Sequence, residues 1–141
     1  MEKQNSKYCG CLYYSSSALS RLMTKMADEE FAITGLSSSY AFLLMTVNDK
    51  PGIRPQEISE LMQLTPSTIT RLIEKMEHKN FLQRKSIGRI TEVHPTDKSL
   101  EMDNKIKEAW RNLYNRYSEI IQEEEAIKLT ASINDAVRIL K

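Results

Sequence analysis

The stretch Pro55-Gln56-Glu57-Ile58-Ser59-Glu60-Leu61-Met62-Gln63-Leu64-Thr65-Pro66-Ser67-Thr68-Ile69-Thr70-Arg71-Leu72-Ile73-Glu74-Lys75-Met76-Glu77-His78-Lys79 decides the fold. Pro55 suits a first helical turn, where a missing N–H would be unpaired anyway, and Ile58, Leu61 and Met62 give that short helix an inward stripe. Gln63 to Thr65 is a tight turn, with Thr65 as N-cap and Pro66 as the first residue of a second helix that runs to about Lys79. Ile69, Leu72, Ile73 and Met76 share one face of it. Two helices joined by a turn of three or four residues make a helix-turn-helix.

The inward set leaves Ser67, Thr68, Thr70, Arg71 and Lys75 on the outer face. Short hydroxyls and a forked guanidinium near a helix N-terminus are the chemistry of a major-groove reader, because Arg pairs with a guanine edge and hydroxyls bond bases or phosphates. The bland alternative is a helical hairpin in some other bundle, with Ser and Thr acting as capping groups.

Flanking elements extend the motif. Phe81 to Ser86 and Arg89 to His94 read as two strands joined at Ile87-Gly88, a basic hairpin carrying Arg84, Lys85 and Arg89. On the N-terminal side, Leu12, Leu19, Leu22, Met23 and Met26 mark an amphipathic helix over about residues 6–31, Gly35 breaks it, and Ser37 is the expected N-cap of a helix ending near Val47. Asn48-Asp49-Lys50-Pro51-Gly52 is a dense turn signal. Thr96 caps a long helix with its stripe at Leu100, Ile106, Ala109, Leu113, Tyr117 and Ile120, and a last helix over about Glu123 to Leu140 has Ala126, Leu129, Ile133, Val137 and Leu140 as its inward set.

The fold class is therefore mainly α with a small β-hairpin: a winged helix-turn-helix lobe over about 37–95, with long N- and C-terminal helices over about 6–36 and 96–141, all in one domain of 141 residues. A helix of about 25 residues is about 37 Å long, well beyond the roughly 15 Å gyration radius of such a domain. Part of each terminal helix must pack on something else, and a second copy in a two-fold dimer is the simplest partner.

Composition agrees. Hydrophobic residues are 40% and charged residues 28%, with four Gly and four Pro, as in a helical globular chain. The net charge is +1, yet residues 50–90 hold eight cations and four anions, so a basic centre of +4 sits between acidic flanks. No apolar run approaches the roughly 20 residues of a membrane helix, and the polar start Met1 to Lys7 lacks a signal-peptide pattern, so a cytoplasmic protein with no membrane association is expected. There is no Gly-x-Ser-x-Gly, His-Glu-x-x-His, phosphate loop or dinucleotide fingerprint, and the histidines are His78 and His94 alone. No enzyme activity, metal or cofactor is expected.

The chain resembles the MarR family of winged helix-turn-helix regulators. The resemblance lies in the long first helix, in Ile58-Ser59-Glu60-Leu61, in Leu64 through Glu77, in Phe81-Leu82-Gln83-Arg84, and in Val93-His94-Pro95-Thr96. It implies a homodimer on a palindromic operator, with Thr65, Ser67, Thr68, Thr70 and Arg71 facing the major groove and Arg89 near the wing tip. Ile87 stands where family wings usually carry an Asp, and the hairpin is shorter than usual, so a phosphate contact is expected of Arg89. The resemblance also implies a small aromatic effector in a cleft that Tyr13, Tyr14, Tyr40, Trp110 and Tyr114 could line; core or dimer packing is the plainer role for such aromatics.

Cys9-Gly10-Cys11-Leu12-Tyr13 is similar to the start of the family's organic-peroxide sensors, in which a cysteine four residues before a tyrosine is oxidised. By that spacing Cys9 matches, with Tyr13 as its hydrogen-bonding partner. On a helix, positions two apart point about 200° from each other, which opposes a Cys9–Cys11 disulfide. The main expectation is a repressor of double-stranded DNA targets released by a ligand; the alternatives are a thiol-based redox regulator using Cys9, and a protein–protein adaptor gripping the 67–75 face.

Overall fold

The computed structural model describes residues 6–141; the expectation for the polar N-terminus therefore lies, for its first five residues, outside the described residues. Six α-helices and one hairpin follow in order: α1 Leu12–Phe31, α2 Ser38–Asp49, α3 Pro55–Met62, α4 Pro66–His78, β1 Leu82–Ile87, β2 Ile90–Pro95, α5 Asp97–Ile121 and α6 Glu123–Leu140. Among the described residues, no single helix is long and apolar enough to cross a membrane.

The core joins α2, α3, α4, the hairpin and the middle of α5. Phe31, Leu43, Leu44, Ile53, Ile58, Ile69, Ile73, Met76, Leu82, Val93 and Ile106 are all fully buried. Burying each such side chain stabilises the fold by about 1.5–3 kcal/mol, so the lobe holds together through this apolar centre.

Local chemistry sets the ends of the elements. A 3₁₀ turn over Ala32–Thr34 and Gly35 in the left-handed region (φ 73°) separate α1 from α2. Ser37 is the N-cap of α2 by position, but its side chain makes no capping bond; Asp28 of α1 accepts the Ser38 N–H instead, at 2.9 Å. At the end of α4, Asn80 takes φ 64° and the Phe81 N–H bonds back to the Met76 carbonyl at 2.9 Å. That closure turns the chain directly into β1.

The hairpin is antiparallel, with Arg84 opposite Val93 and Lys85 opposite Glu92. Its two-residue turn is Gly88-Arg89, one position later than the sequence pattern indicates; Gly88 supplies the positive φ (65°) that a tight hairpin turn requires. Ile53 adds an isolated bridge to Val93 and so anchors the wing to the loop before α3.

Four further expectations are corrected. α1 begins at Leu12, not near Ser6, because residues 6–11 form two overlapping turns closed by Cys9 N–H to Ser6 and Cys11 N–H to Tyr8 carbonyl bonds. Leu61, expected on the inward stripe of α3, is exposed. On α6 only Ala126 is buried within the chain, whereas Leu129 is 40% exposed, Ile133 44% and Leu140 77%. Leu129 and Ile133 line an open hollow between α1, α5 and α6 that no side chain of the described residues fills. Leu100 and Ile120, at either end of the α5 stripe, are also exposed.

Candidate nucleic-acid interface

The turn between α3 and α4 is built to hold α4 at one angle. Gln63 takes the left-handed conformation (φ 55°), and its N–H and that of Leu64 return to the Ser59 carbonyl. The buried Ser59 hydroxyl in turn donates to the Leu64 carbonyl. The sequence pattern assigns Ser59 no role of its own; a Ser at an otherwise apolar-facing position of a short helix is the signal that marks it. Thr65 then caps α4 by accepting the Thr68 N–H at 3.4 Å.

The hydroxyls around that cap differ in availability. Thr65 Oγ1 lies 2.9 Å from Thr68 Oγ1 and 3.3 Å from Ser67 Oγ. Thr70 donates its hydroxyl proton to the Pro66 carbonyl at 3.0 Å, so outward it offers only acceptor lone pairs. Thr68 is half-buried, while Thr65, Ser67, Thr70, Arg71 and Lys75 are exposed.

The cations also divide. Arg71, Lys75, Lys85 and Arg89 are exposed, and among the described residues none of them forms an ion pair. Arg84 is different. Its Nε lies 2.8 Å from Glu77 Oε1, its backbone N–H donates to Glu77 Oε2 at 3.2 Å, and Glu74 lies 4.0 Å away. Arg84 therefore ties the wing to the recognition helix, with its charge already met by α4. The outer face of α4 thus keeps two unpaired cations, Arg71 and Lys75, and the wing two more, Lys85 and Arg89, the last in the turn itself.

Residues 36–87 match the MarR family model. By this segment the chain is similar to the MarR family. No curated protein matches it in sequence. Among solved structures, the MepR–DNA complex of S. aureus aligns with TM-score 0.79 at 16% identity, covering 98% of this chain and 100% of MepR. A MarR protein from Peptoclostridium difficile aligns at 0.78 with 21% identity, covering 99% and 92%. CouR from Rhodococcus jostii, bound to p-coumaroyl-CoA, aligns at 0.77 with 16% identity, covering 94% and 95%. All three share the fold, including the long helices outside the lobe.

The fold also holds an open cavity of about 580 Å³ between α2, α3 and α5. Phe42, Met45, Leu61, Met62, Leu64 and Trp110 line it, with Asp49 and Lys50 adding charge. Phe42 and Trp110 meet edge to face, with centroids 5.9 Å apart. Of the five aromatics read from the sequence, Trp110 lines this cavity, and Tyr114 shares a neighbouring hollow with it. Tyr40 packs against the core, and Tyr13 and Tyr14 lie at the start of α1, where Tyr14 stacks on Tyr8 at 4.7 Å. The structure thus does not bring all five to one cleft.

Cys9 lies in the turn before α1 and Cys11 is its N-cap; both thiols are free and exposed. The helical-wheel argument against their approach does not apply, because neither residue sits within a helix. Tyr13 makes no hydrogen bond to Cys9 among the described contacts; its ring meets that of Tyr14 edge to face. Among the described residues, no three His, Cys, Asp or Glu side chains gather as a metal site would need.

Two ion-paired centres brace α5, one against α1 and one against α2. Arg116 on α5 holds Glu29 at 2.8 Å and Glu30 at 3.0 Å on α1, and those bonds, Glu29 foremost, raise its pKa. Lys107 is raised above its ordinary value by Asp103 first and by Asp49. The Tyr117 hydroxyl is raised chiefly by burial between α1, α5 and α6, with a smaller contribution from Tyr114.

Proposed function

We propose that the protein is a homodimeric transcriptional regulator that binds palindromic double-stranded DNA by sequence, and that it acts as a repressor whose affinity a small ligand lowers. The observation that carries this reading is the unpaired outer face of α4, Ser67, Arg71 and Lys75, set beside a wing whose free cations are Lys85 and Arg89. Arg71 is exposed and free to pair with a guanine edge, Ser67 and the Thr65 cap supply hydroxyls, and Lys75, Lys85 and Arg89 supply phosphate contacts.

The apolar stripe of α6, with Ile120 and Leu12, fits a second copy of the chain. An apolar hollow between α1, α5 and α6, lined by Leu19, Met23, Ile121, Leu129 and Ile133, gives that copy a place to seat. In such a dimer the two recognition helices would meet successive major grooves about 34 Å apart. The cavity under Phe42 and Trp110 lies between the lobe and α5, so a molecule filling it bears on the angle between them. Its size falls within the roughly 300–1,000 Å³ of ligand pockets, and its aromatic wall suits a planar aromatic ligand. MepR bound to DNA and CouR bound to an aromatic acyl thioester support both halves of the reading.

Selection of duplexes from a random pool tests it. Recovery of an inverted repeat, bound with an affinity that falls steeply with salt, is the expected result. Recovery of no duplex, with another protein gripping residues 67–75, would favour the adaptor.

A second reading rests on Cys9 and Cys11. Both are exposed in overlapping turns outside α1, which leaves them accessible to an oxidant. In that reading an organic hydroperoxide oxidises the Cys9 thiolate to the sulfenic acid and is reduced to the alcohol. Repeating the binding measurement after hydroperoxide treatment, with Cys9→Ser as control, decides between an oxidant and a ligand as the releasing signal.

A further inference from the structure

The last turn of α2 meets the first turns of α5 through directed polar bonds. The Asn48 side-chain oxygen accepts the Ser99 hydroxyl at 2.8 Å. Its nitrogen donates to the Ser99 carbonyl at 3.1 Å and to Asp103 Oδ1 at 3.1 Å. Asp103 also holds Lys107 at 2.9 Å, and Lys107 returns to α2 through Asp49 at 3.2 Å. Ser99 is fully buried. α2 belongs to the lobe, while α5 runs out of it into the terminal helices, so this joint spans the boundary between the reading head and its support.

Apolar contacts between two helices tolerate small slides and tilts. Three hydrogen bonds from one planar amide to residues a single turn apart do not, because each weakens steeply off its line. An unpaired amide in a half-buried position is in addition unfavourable, because it has given up water without gaining a partner. The joint therefore permits one angle between α2 and α5. Asp49, which Lys107 pins, also lines the cavity beneath Phe42 and Trp110, so the joint borders the place where a ligand would act.

We propose that Asn48 is a positioning residue for DNA recognition: by clamping α2 to Ser99 and Asp103 it fixes the tilt of the lobe, and through it the distance between the two recognition helices of the dimer. This rests on the dimeric DNA-binding reading above. At a lever arm of about 15 Å, the radius of such a domain, a 10° tilt moves a recognition helix by roughly 2.6 Å. Two symmetric tilts change the separation by about 5 Å, more than the 3.4 Å rise of one base pair.

The test uses the full chain and the duplex recovered by selection, rebuilt with its half-sites moved apart or together by one and two base pairs. The wild type binds one spacing best. In Asn48→Ala the preference for that spacing over its neighbours falls about tenfold, while the preferred half-site sequence is unchanged. Asn48→Asp, which sets a carboxylate against Asp103, flattens the profile in the same way. Asn48→Asp with Asp103→Asn restores an acceptor and donor facing each other and returns the profile toward wild type. This pair decides the matter if Asn48→Ala does not fold. A uniform loss of affinity at every spacing, with the profile intact, would overturn the positioning role and leave Asn48 a stabilising contact only. A wild type that binds no duplex at any spacing would overturn the DNA-binding reading and this inference with it.

Discussion

Arg71→Ala separates reading from folding. The Arg71 side chain is exposed on the outer face of α4 and, among the described residues, makes no ion pair. Its removal therefore costs the isolated protein little, within about 0.5 kcal/mol, as for other surface substitutions. The loss falls on the complex. One bidentate contact to a base is worth about 1–3 kcal/mol, and a symmetric dimer places two copies on the duplex. The expected loss is about 2–6 kcal/mol, an affinity roughly 30-fold to more than 10⁴-fold weaker for the selected sequence. Binding to random duplex changes far less, because that term comes from phosphate neutralisation by Lys75, Lys85 and Arg89. Arg71→Lys should also fail to restore preference, since an ammonium cannot reproduce the planar fork. The assay is fluorescence anisotropy with the selected and a scrambled duplex, each at several salt concentrations, beside a thermal unfolding curve. Equal weakening on both duplexes, with the salt slope reduced by about two counterions per dimer, would show Arg71 to be a phosphate contact and refute the assignment.

Other outcomes follow from named contacts. Arg84→Ala removes the guanidinium from Glu77 and keeps only the backbone N–H bond to it, so stability should fall by no more than about 1 kcal/mol while both duplexes weaken together, measured by calorimetry and anisotropy. Ser118→Ala removes a buried hydroxyl that has no hydrogen-bond partner, and should leave stability unchanged or raise it by about 1 kcal/mol in denaturant titration. Lys107 has its pKa raised by Asp103 and Asp49, so its contribution is present below its ordinary 10.5 and is lost as pH rises through the higher folded value. The unfolding-temperature gap between wild type and Lys107→Met should hold near neutral pH and close only on the alkaline side of the ordinary lysine value. Ile133→Glu on the exposed α6 stripe should give a monomer by light scattering with its helix content retained; a dimer that persists would move the interface elsewhere.

The helix-turn-helix was legible because its signals are local. Two prolines at first helical turns, one N-cap threonine and a 3.6-residue apolar period fix α3 and α4 wherever they sit. The Thr96 cap and the length of α5 were legible for the same reason. The hairpin turn moved by one residue because Gly88 can open either of two adjacent turns, and only strand pairing selects between them. α1 is shorter than its apolar period implies because that period does not report where the backbone of residues 6–11 bonds.

What the sequence determined alone, then, is the set of helices, the basic centre and the outward face of α4, since these depend on residues a few positions apart. What only the tertiary structure decided is which of those charges are free. Arg84 and Arg89 look equivalent in the chain, yet folding brings Glu77 against the first and, among the described residues, no carboxylate against the second. Asn48 reads as part of a turn, and becomes a joint only because α5, some fifty residues later, runs back past it. Hydrogen bonds and ion pairs act over about 3 Å, and the chain's order carries no record of which distant groups come that close.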